Sequence, residues 1–338
     1  MNDYYPFEPI PPTDQPPEEP VALDLRRECF QPASAAFAVS FISLFTIALQ
    51  FIIVSLVKRF APQLIQEPWF LIVASMVPMY AVAMPLSLLL YRLGRSNPPS
   101  RKRLGILAWF GILAITFAIT YVGSLIGVAV NMILEFLTGK PMNNELQELT
   151  SQTPLWANLL FVGILAPILE EIFYRKLIID RLRRYGDLIA ILFSGLLFGL
   201  IHGNFHQVFY ATLSGILFGY VYVHTGKLRY TVALHMSVNL LGGVIVPLIF
   251  EKMSAGNPDA TLLQMVEASP MAFFLLLCYF FFILLCFVTA PIAIALFWKH
   301  IRFQKGEVKL SPETFTKIFL LNPPVWILCI IVLANFFI

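Results

Sequence analysis

The sequence predicts an all-α protein, a polytopic bundle of transmembrane helices with about eight core spans and a candidate ninth. Of the 338 residues, 58% are hydrophobic and only 13% are charged. That charged fraction is about half the value of an average soluble domain. Apolar runs long enough to cross a bilayer as helices also recur along the chain. These observations disfavour a soluble enzyme, a nucleic-acid-binding protein and a disordered scaffold.

Nine apolar runs are candidate spans, because a transmembrane helix needs about 20 predominantly apolar residues. They cover residues 34–57, 69–91, 104–137, 155–179, 187–204, 206–225, 229–250, 271–298 and 315–338. The connection between the fifth and sixth runs must be tight, since only Gly203-Asn204-Phe205 separates them. The ninth run contains Lys317 and a Pro-Pro pair, which makes it the weakest candidate.

The positions of the basic residues favour one orientation in the membrane. With a cytoplasmic N-terminus, 19 of the 23 Lys and Arg residues fall on the cytoplasmic side of this partition and the other four on the outer side. Short cytoplasmic loops carry such an excess of Lys and Arg. We therefore expect a multi-pass integral membrane protein with its N-terminus in the cytoplasm and its C-terminus outside.

The first residues differ in composition from the rest of the chain. Residues 1–20 contain seven prolines and five acidic residues but no Lys or Arg, which does not fit a secretory signal. We expect residues 1–30 to form a disordered Pro-rich cytoplasmic tail and residues 31–338 to form the bundle. The four cysteines form no Cys-x-x-Cys pair, so we interpret them as packing residues.

The first group of ionisable residues within the spans is Glu170-Glu171-Ile-Phe-Tyr-Arg175. Ionisable groups in spans are functional candidates, because burying them is unfavourable unless they are paired or hydrated. Glu171 and Arg175 have the i,i+4 spacing of a salt bridge. Glu170 points about 100° away, so we expect an unpaired carboxylate that acts as a base. Alternatively, both acids only mark a helix end near a basic loop.

Two further pairs with i,i+4 spacing follow within the next spans. Phe198 precedes His202 by four residues, so its ring would pack beside the imidazole, and Gly199 would allow a close helix contact. His235 and Asn239 would present two hydrogen-bond donors on one helix face, suited to an oxyanion. As alternatives, His202 is a solitary interfacial histidine, and His235 and Asn239 only hold helices together.

The three groups together resemble a known family pattern: Glu-Glu-x-x-x-Arg, then Phe-x-x-x-His, then His-x-x-x-Asn. Here they read EEIFYR, FGLIH and HMSVN, in that order, within residues 165–245. The pattern is similar to that of the CPBP (CAAX protease and bacteriocin-processing, Abi) family of intramembrane glutamic endopeptidases, which includes type II CAAX prenyl proteases. The resemblance covers about 80 residues and implies a protease core at about residues 155–250.

The resemblance implies hydrolysis of a peptide bond in a membrane-associated protein or peptide precursor. Glu170 would activate water with help from His202, and His235 and Asn239 would form the oxyanion hole. Supporting roles would fall to Glu171, Arg175 and Phe198. This chemistry needs no cofactor and no metal. The expected partners are membrane lipid and the substrate, without nucleic acid, and the expected location is a bacterial plasma membrane.

Two other functions are alternatives to this prediction. A zinc metalloprotease would use His202, His206 and His235 with Glu170, but the sequence has no His-Glu-x-x-His motif, and Gly203 argues against a continuous helix. A transporter or non-catalytic scaffold would also bury polar residues, but a transporter should show an inverted repeat of spans, and none is apparent.

Overall fold

The computed structural model describes residues 24–91, 96–141, 149–151, 153–254, 261–297, 299 and 301–337. Within these ranges the chain is helical, and its only β-type pairing is a single bridge between Gly186 and Lys305. The predicted all-α class is confirmed.

Eleven helices make up most of the described structure, and a short 3-10 helix at Pro62–Gln66 connects the first two. The eleven helices are α1 (Leu25–Phe60), α2 (70–91), α3 (Ile106–Thr138), α4 (Leu155–Tyr185), α5 (Asp187–Leu200), α6 (Phe205–Thr225), α7 (Leu228–Ser254), α8 (Leu262–Ala268), α9 (Pro270–Phe297), α10 (Pro312–Leu320) and α11 (Pro323–Phe337).

The N-terminal end of α1 lies inside the predicted tail. Helix α1 begins at Leu25, where the Asp24 side chain caps it by accepting hydrogen bonds from the amides of Arg26 and Arg27. The boundary predicted at residue 30 is therefore too late. The rest of the predicted tail, residues 1–23, lies outside the described residues.

The structure describes seven helices long and apolar enough to span a bilayer, and eight if α10 and α11 form one span bent by 51°. The predicted fifth span forms a shorter helix than expected. Helix α5 has 14 residues, about 21 Å of rise, which is shorter than the ~30 Å apolar core. The apolar run predicted at residues 187–204 includes the loop after this helix, so hydropathy alone overestimated its length.

The outer surface of the bundle is apolar. Large hydrophobic side chains are well exposed on helices distant in sequence, such as Phe51 on α1, Ile133 on α3 and Phe281 on α9. A water-soluble protein rarely exposes apolar surface on this scale, whereas lipid covers it. The chain is a multi-pass integral membrane protein.

Most of the predicted cytoplasmic segments meet at one end of the bundle. Hydrogen bonds and an ion pair join them: Arg184 to Glu28, Arg183 to the Asn97 carbonyl, the Lys102 amide to the Thr225 carbonyl, and the Asp187 amide to the Gln304 carbonyl. The clustering of these segments is what the charge distribution predicts. Arg175 is one of the 19 basic residues that the sequence assigns to the cytoplasmic side, but it is fully buried inside α4.

Helices α4 and α5 form a hairpin that sets the depth of the site. The turn lies at Gly186, whose φ of 113° is a conformation that glycine adopts readily. Glu170 lies 16 residues before this turn and His202 lies 16 residues after it. Both are therefore about 24 Å along the helices from the turn. If the inner membrane face lay at Arg175, Glu170 would be much closer to that face than His202 is. The two depths agree because α4 continues past Arg175 to Tyr185.

Candidate active site

Helix α4 brings two adjacent glutamates into the bundle interior. Glu170 and Glu171 are 7% and 0% exposed, and Arg175, one turn further, is 0% exposed. They lie well inside a 31-residue helix and not at its end. The alternative that both acids only mark a helix end is therefore wrong.

Glu171 forms the predicted ion pair with Arg175. Arg175 Nε lies 3.0 Å from one carboxylate oxygen of Glu171, and Nη2 lies 3.3 Å from the other. Arg175 Nη1 also donates to Ser194 Oγ on α5 at 3.1 Å, and Ser194 donates to the Tyr174 carbonyl at 2.8 Å. This network fixes Glu171 against the α4–α5 hairpin.

His235 of α7 connects the two glutamates. Its Nδ1 lies 3.2 Å from Glu171 Oε1, and its Nε2 lies 3.6 Å from Glu170 Oε2. The prediction that Glu170 is unpaired is therefore wrong, because an imidazole with two nitrogens reaches both carboxylates although these point in different directions. The His235 side chain is nearly buried.

Tyr80 of α2 is a site residue that the sequence analysis missed. Its hydroxyl donates to Glu170 Oε1 at a distance of 2.5 Å. The carboxylate of Glu170 therefore lies between Tyr80 on one side and His235 on the other. The only sequence signal was a lone tyrosine in an apolar run, and no spacing connects it with the other groups.

Phe198 packs at the centre of the site. Its ring lies edge-on to His202 at 5.3 Å and to His235 at 5.4 Å between centroids. The Arg175 guanidinium lies 5.3 Å from the same ring. Next to it, an added Cβ at Gly199 would clash with Thr212 of α6. The predicted Phe198–His202 contact and the predicted close helix contact at Gly199 are confirmed.

His202 lies in the loop after α5 with one ring nitrogen committed. Its Nδ1 is 2.8 Å from the Phe198 carbonyl. Since a carbonyl only accepts, Nδ1 carries a proton, and Nε2 remains for another partner. The loop is fixed by Gly203, with φ of 63°, and by Asn204, which caps α6 and donates to the His202 carbonyl.

Asn239 lies one turn after His235 on α7 and contacts α4. Its Nδ2 donates to the Val162 carbonyl at 2.9 Å. This interhelical hydrogen bond is of the kind expected if Asn239 only holds helices together. An amide group has two donor hydrogens, so one remains for a ligand. Asn239 is only partly buried.

Each of the helices that carry Tyr80, the two glutamates and Asn239 contains π-helical turns. The turns cover Pro78–Ala83 in α2, Asn158–Leu165 and Ile172–Ile179 in α4, and Asn239–Ile245 in α7. Such turns are frequent at functional sites because they redirect side chains. Hydropathy and spacing gave no indication of them.

The zinc ligands of the alternative function, His202, His206 and His235 with Glu170, do not form a metal site among the described residues. Gly203 and Asn204 interrupt the helix between His202 and His206, so their spacing does not place both imidazoles on one helix face. Across the part of the chain that the structure describes, no group of three or more His, Cys, Asp or Glu residues has an arrangement suited to a metal ion. The zinc alternative is not favoured.

A buried Glu–His cluster within a polytopic helical bundle is the setting expected for an enzyme that works inside the membrane. Residues 152–241 match the family model of Rce1-like type II CAAX prenyl endopeptidases. This range contains all seven predicted site residues. This segment is similar to that family, which agrees with the resemblance in the sequence.

Three bacterial relatives are similar to parts of the chain. The membrane-embedded CAAX protease MroQ of Staphylococcus aureus is 34% identical over 107 residues, which are 30% of this chain and 40% of the relative. UPF0177 protein YxdF of Lactococcus lactis is 27% identical over 141 residues, 41% of this chain and 76% of the relative. The putative membrane peptidase YdiL of Bacillus subtilis is 31% identical over 78 residues, 23% of this chain and 32% of the relative. The match therefore spans less than half of MroQ and of YdiL. No solved structure matches the chain significantly.

Proposed function

We propose that this protein is an intramembrane endopeptidase that hydrolyses a peptide bond in a membrane-associated protein or peptide precursor, with its protease core at residues 155–250. The observation that carries the proposal is the position of Glu170. Its carboxylate is buried between the Tyr80 hydroxyl and the His235 imidazole, at the depth of His202. The family match and the similarity to bacterial membrane proteases support the reaction class.

Glu170 is the proposed general base. A water molecule held between Glu170 and His202 Nε2 would lose a proton to the Glu170 carboxylate while its oxygen attacks the carbonyl carbon. The new C–O bond forms as the C=O π pair moves onto the carbonyl oxygen. When the C–N bond breaks, Glu170 returns its proton to the leaving nitrogen, so the base is regenerated.

His235 and Asn239 are the proposed oxyanion donors. Asn239 has a second amide hydrogen after its bond to Val162. His235 would donate through Nε2, while Nδ1 donates to Glu171. Donation from both ring nitrogens requires a proton on each of them.

The remaining residues act through these groups. The Glu171–Arg175 pair would hold His235 Nδ1, and Phe198 would separate and orient the two imidazoles. Tyr80 is a proposed positioning residue: its hydrogen bond selects one rotamer of the Glu170 carboxylate and directs the other oxygen toward His235.

The test is a comparison of cellular proteomes. Cells that express the wild type should contain new protein or peptide termini that are absent from cells that express Glu170→Gln. Glu251→Gln is the matched control, because Glu251 is an exposed carboxylate at the end of α7. It should give the wild-type termini. Identical termini in all three strains would contradict the proposal.

We also propose that the protein lies in a bacterial plasma membrane with the N-terminus in the cytoplasm. The gathering of the basic segments at one end of the bundle supports this orientation, since that end would face the cytoplasm.

A further inference from the structure

A cavity of about 510 Å³ lies at the basic end of the bundle, away from the Glu–His cluster. Its walls come from the loop before α3, the second half of α4 and the α6–α7 turn. The charged and polar residues that line it are Arg101, Lys176, Asp180, Tyr222, Lys227 and Arg229.

Backbone contacts hold these walls in a fixed arrangement. The Lys102 amide donates to the Thr225 carbonyl at 2.8 Å, and the Asn97 amide donates to the Asp180 carbonyl at 2.6 Å. The α6–α7 turn lies so close to the loop that a Cβ at Gly226 would clash with the Pro99 carbonyl. The cavity is therefore a built feature of the fold and not a gap between loose side chains.

The cavity has four cationic side chains and one carboxylate. The Asp180 carboxylate accepts a hydrogen bond from Tyr222 at 2.9 Å and is nearly buried. The four cations are Arg101, Lys176, Lys227 and Arg229. None of them forms an ion pair with a carboxylate among the described residues. Arg229 donates a hydrogen bond to the Tyr230 hydroxyl at 2.9 Å, but its charge has no carboxylate partner. Four cations against one carboxylate around the cavity create a positive potential that favours an anion.

Exposed apolar side chains lie close in sequence to the residues that line the cavity. Ile172 lies one turn before Lys176 on α4 and is 36% exposed. Ile106 and Leu107, at the start of α3 just after the basic loop, are 77% and 80% exposed. An anion that enters the cavity with an attached acyl chain would cover these side chains.

We propose that this cavity binds the phosphate group of an anionic phospholipid, with the acyl chains against the apolar side chains beside it. The cations supply the charge that a headgroup phosphate needs, and basic pockets between transmembrane helices recognise such headgroups. A free phosphate ion would meet the same cations but would leave Ile172 and its neighbours uncovered. Because Lys176 is adjacent to Arg175 on α4, the bound lipid would also hold the helix that carries the two glutamates.

The experiment measures lipid contact directly. The full chain is placed in phosphatidylcholine nanodiscs that contain a minor fraction of spin-labelled phosphatidylglycerol, and the motionally restricted fraction of the label is measured. The Lys176→Gln/Arg229→Gln variant should bind the labelled lipid about fivefold more weakly for each cation removed. The Lys58→Gln/Lys252→Gln variant removes two cations far from the cavity and should bind as the wild type does.

Two results would overturn the proposal. One is equal restriction of the label by the wild type and by the cavity variant, provided that both variants retain the wild-type helical content and elution volume. The other is displacement of the lipid by inorganic phosphate at a concentration equal to that of the label, since this would identify a free anion as the ligand. Resistance to inorganic phosphate together with loss of restriction in the cavity variant supports the lipid.

Discussion

Replacing Glu171 by Gln should destabilise the protein far more than the same change at Glu170. The substitution changes neither shape nor volume appreciably, but it removes the charge that faces the fully buried Arg175. Glu171 also accepts from His235. A buried charge that loses its partner costs about 3–5 kcal/mol, and a glutamine oxygen replaces only part of the bidentate contact.

The neighbouring substitution is the control. In Glu170→Gln the amide oxygen still accepts the hydrogen bond from Tyr80. Among the described residues, Glu170 forms no ion pair with a Lys or Arg, so this substitution leaves no such cation without its partner. The expected loss is about 1 kcal/mol. The free energy of unfolding is measured for both variants by denaturation in mixed detergent micelles. Equal destabilisation of the two would refute the assignment of Glu171 to the structural ion pair and of Glu170 to the reactive position.

Three further predictions concern the proposed chemistry. Tyr80→Phe should lower kcat about 10- to 100-fold with little change in KM, because it removes one charge-assisted hydrogen bond to the base; a change in KM alone would contradict a positioning role. Activity should survive prolonged chelation and dialysis, with well under one zinc per chain in active protein; stoichiometric zinc that is lost and regained with activity would instead support a metalloprotease. Truncating His235 or Asn239 to Ala should lower kcat about 10²–10³-fold, and the double variant should lose less than the product of the two effects. For Asn239→Ala, a normal kcat with a reduced melting temperature would show that Asn239 only holds helices together through its bond to Val162.

The contacts that the sequence predicts well are local. Glu171 with Arg175 and Phe198 with His202 are one helical turn apart, so the geometry of a single helix is enough to bring them together. Both contacts are present in the structure. The fold class also follows from composition, because only lipid or other apolar helices can cover so much apolar surface.

The contacts that the sequence did not predict depend on tertiary packing. Tyr80 is 90 residues from Glu170, and His235 is 64 residues from Glu171. No periodicity relates these positions, so the bridging imidazole and the tyrosine emerge only from the packing of α2 and α7 against α4. The shortness of α5 was missed for another reason: hydropathy continues through the loop at His202, where a glycine with positive φ ends the helix.

The most direct test of the account is the turnover of purified Glu170→Gln on the peptide bond identified by the proteome comparison. The variant should remain folded in detergent, and its turnover should be about 10²–10⁴-fold slower than that of the wild type, since it lacks the base but keeps its shape. Glu251→Gln should cleave the same peptide at the wild-type rate. Near-full turnover by Glu170→Gln would contradict the central claim that this carboxylate activates the water.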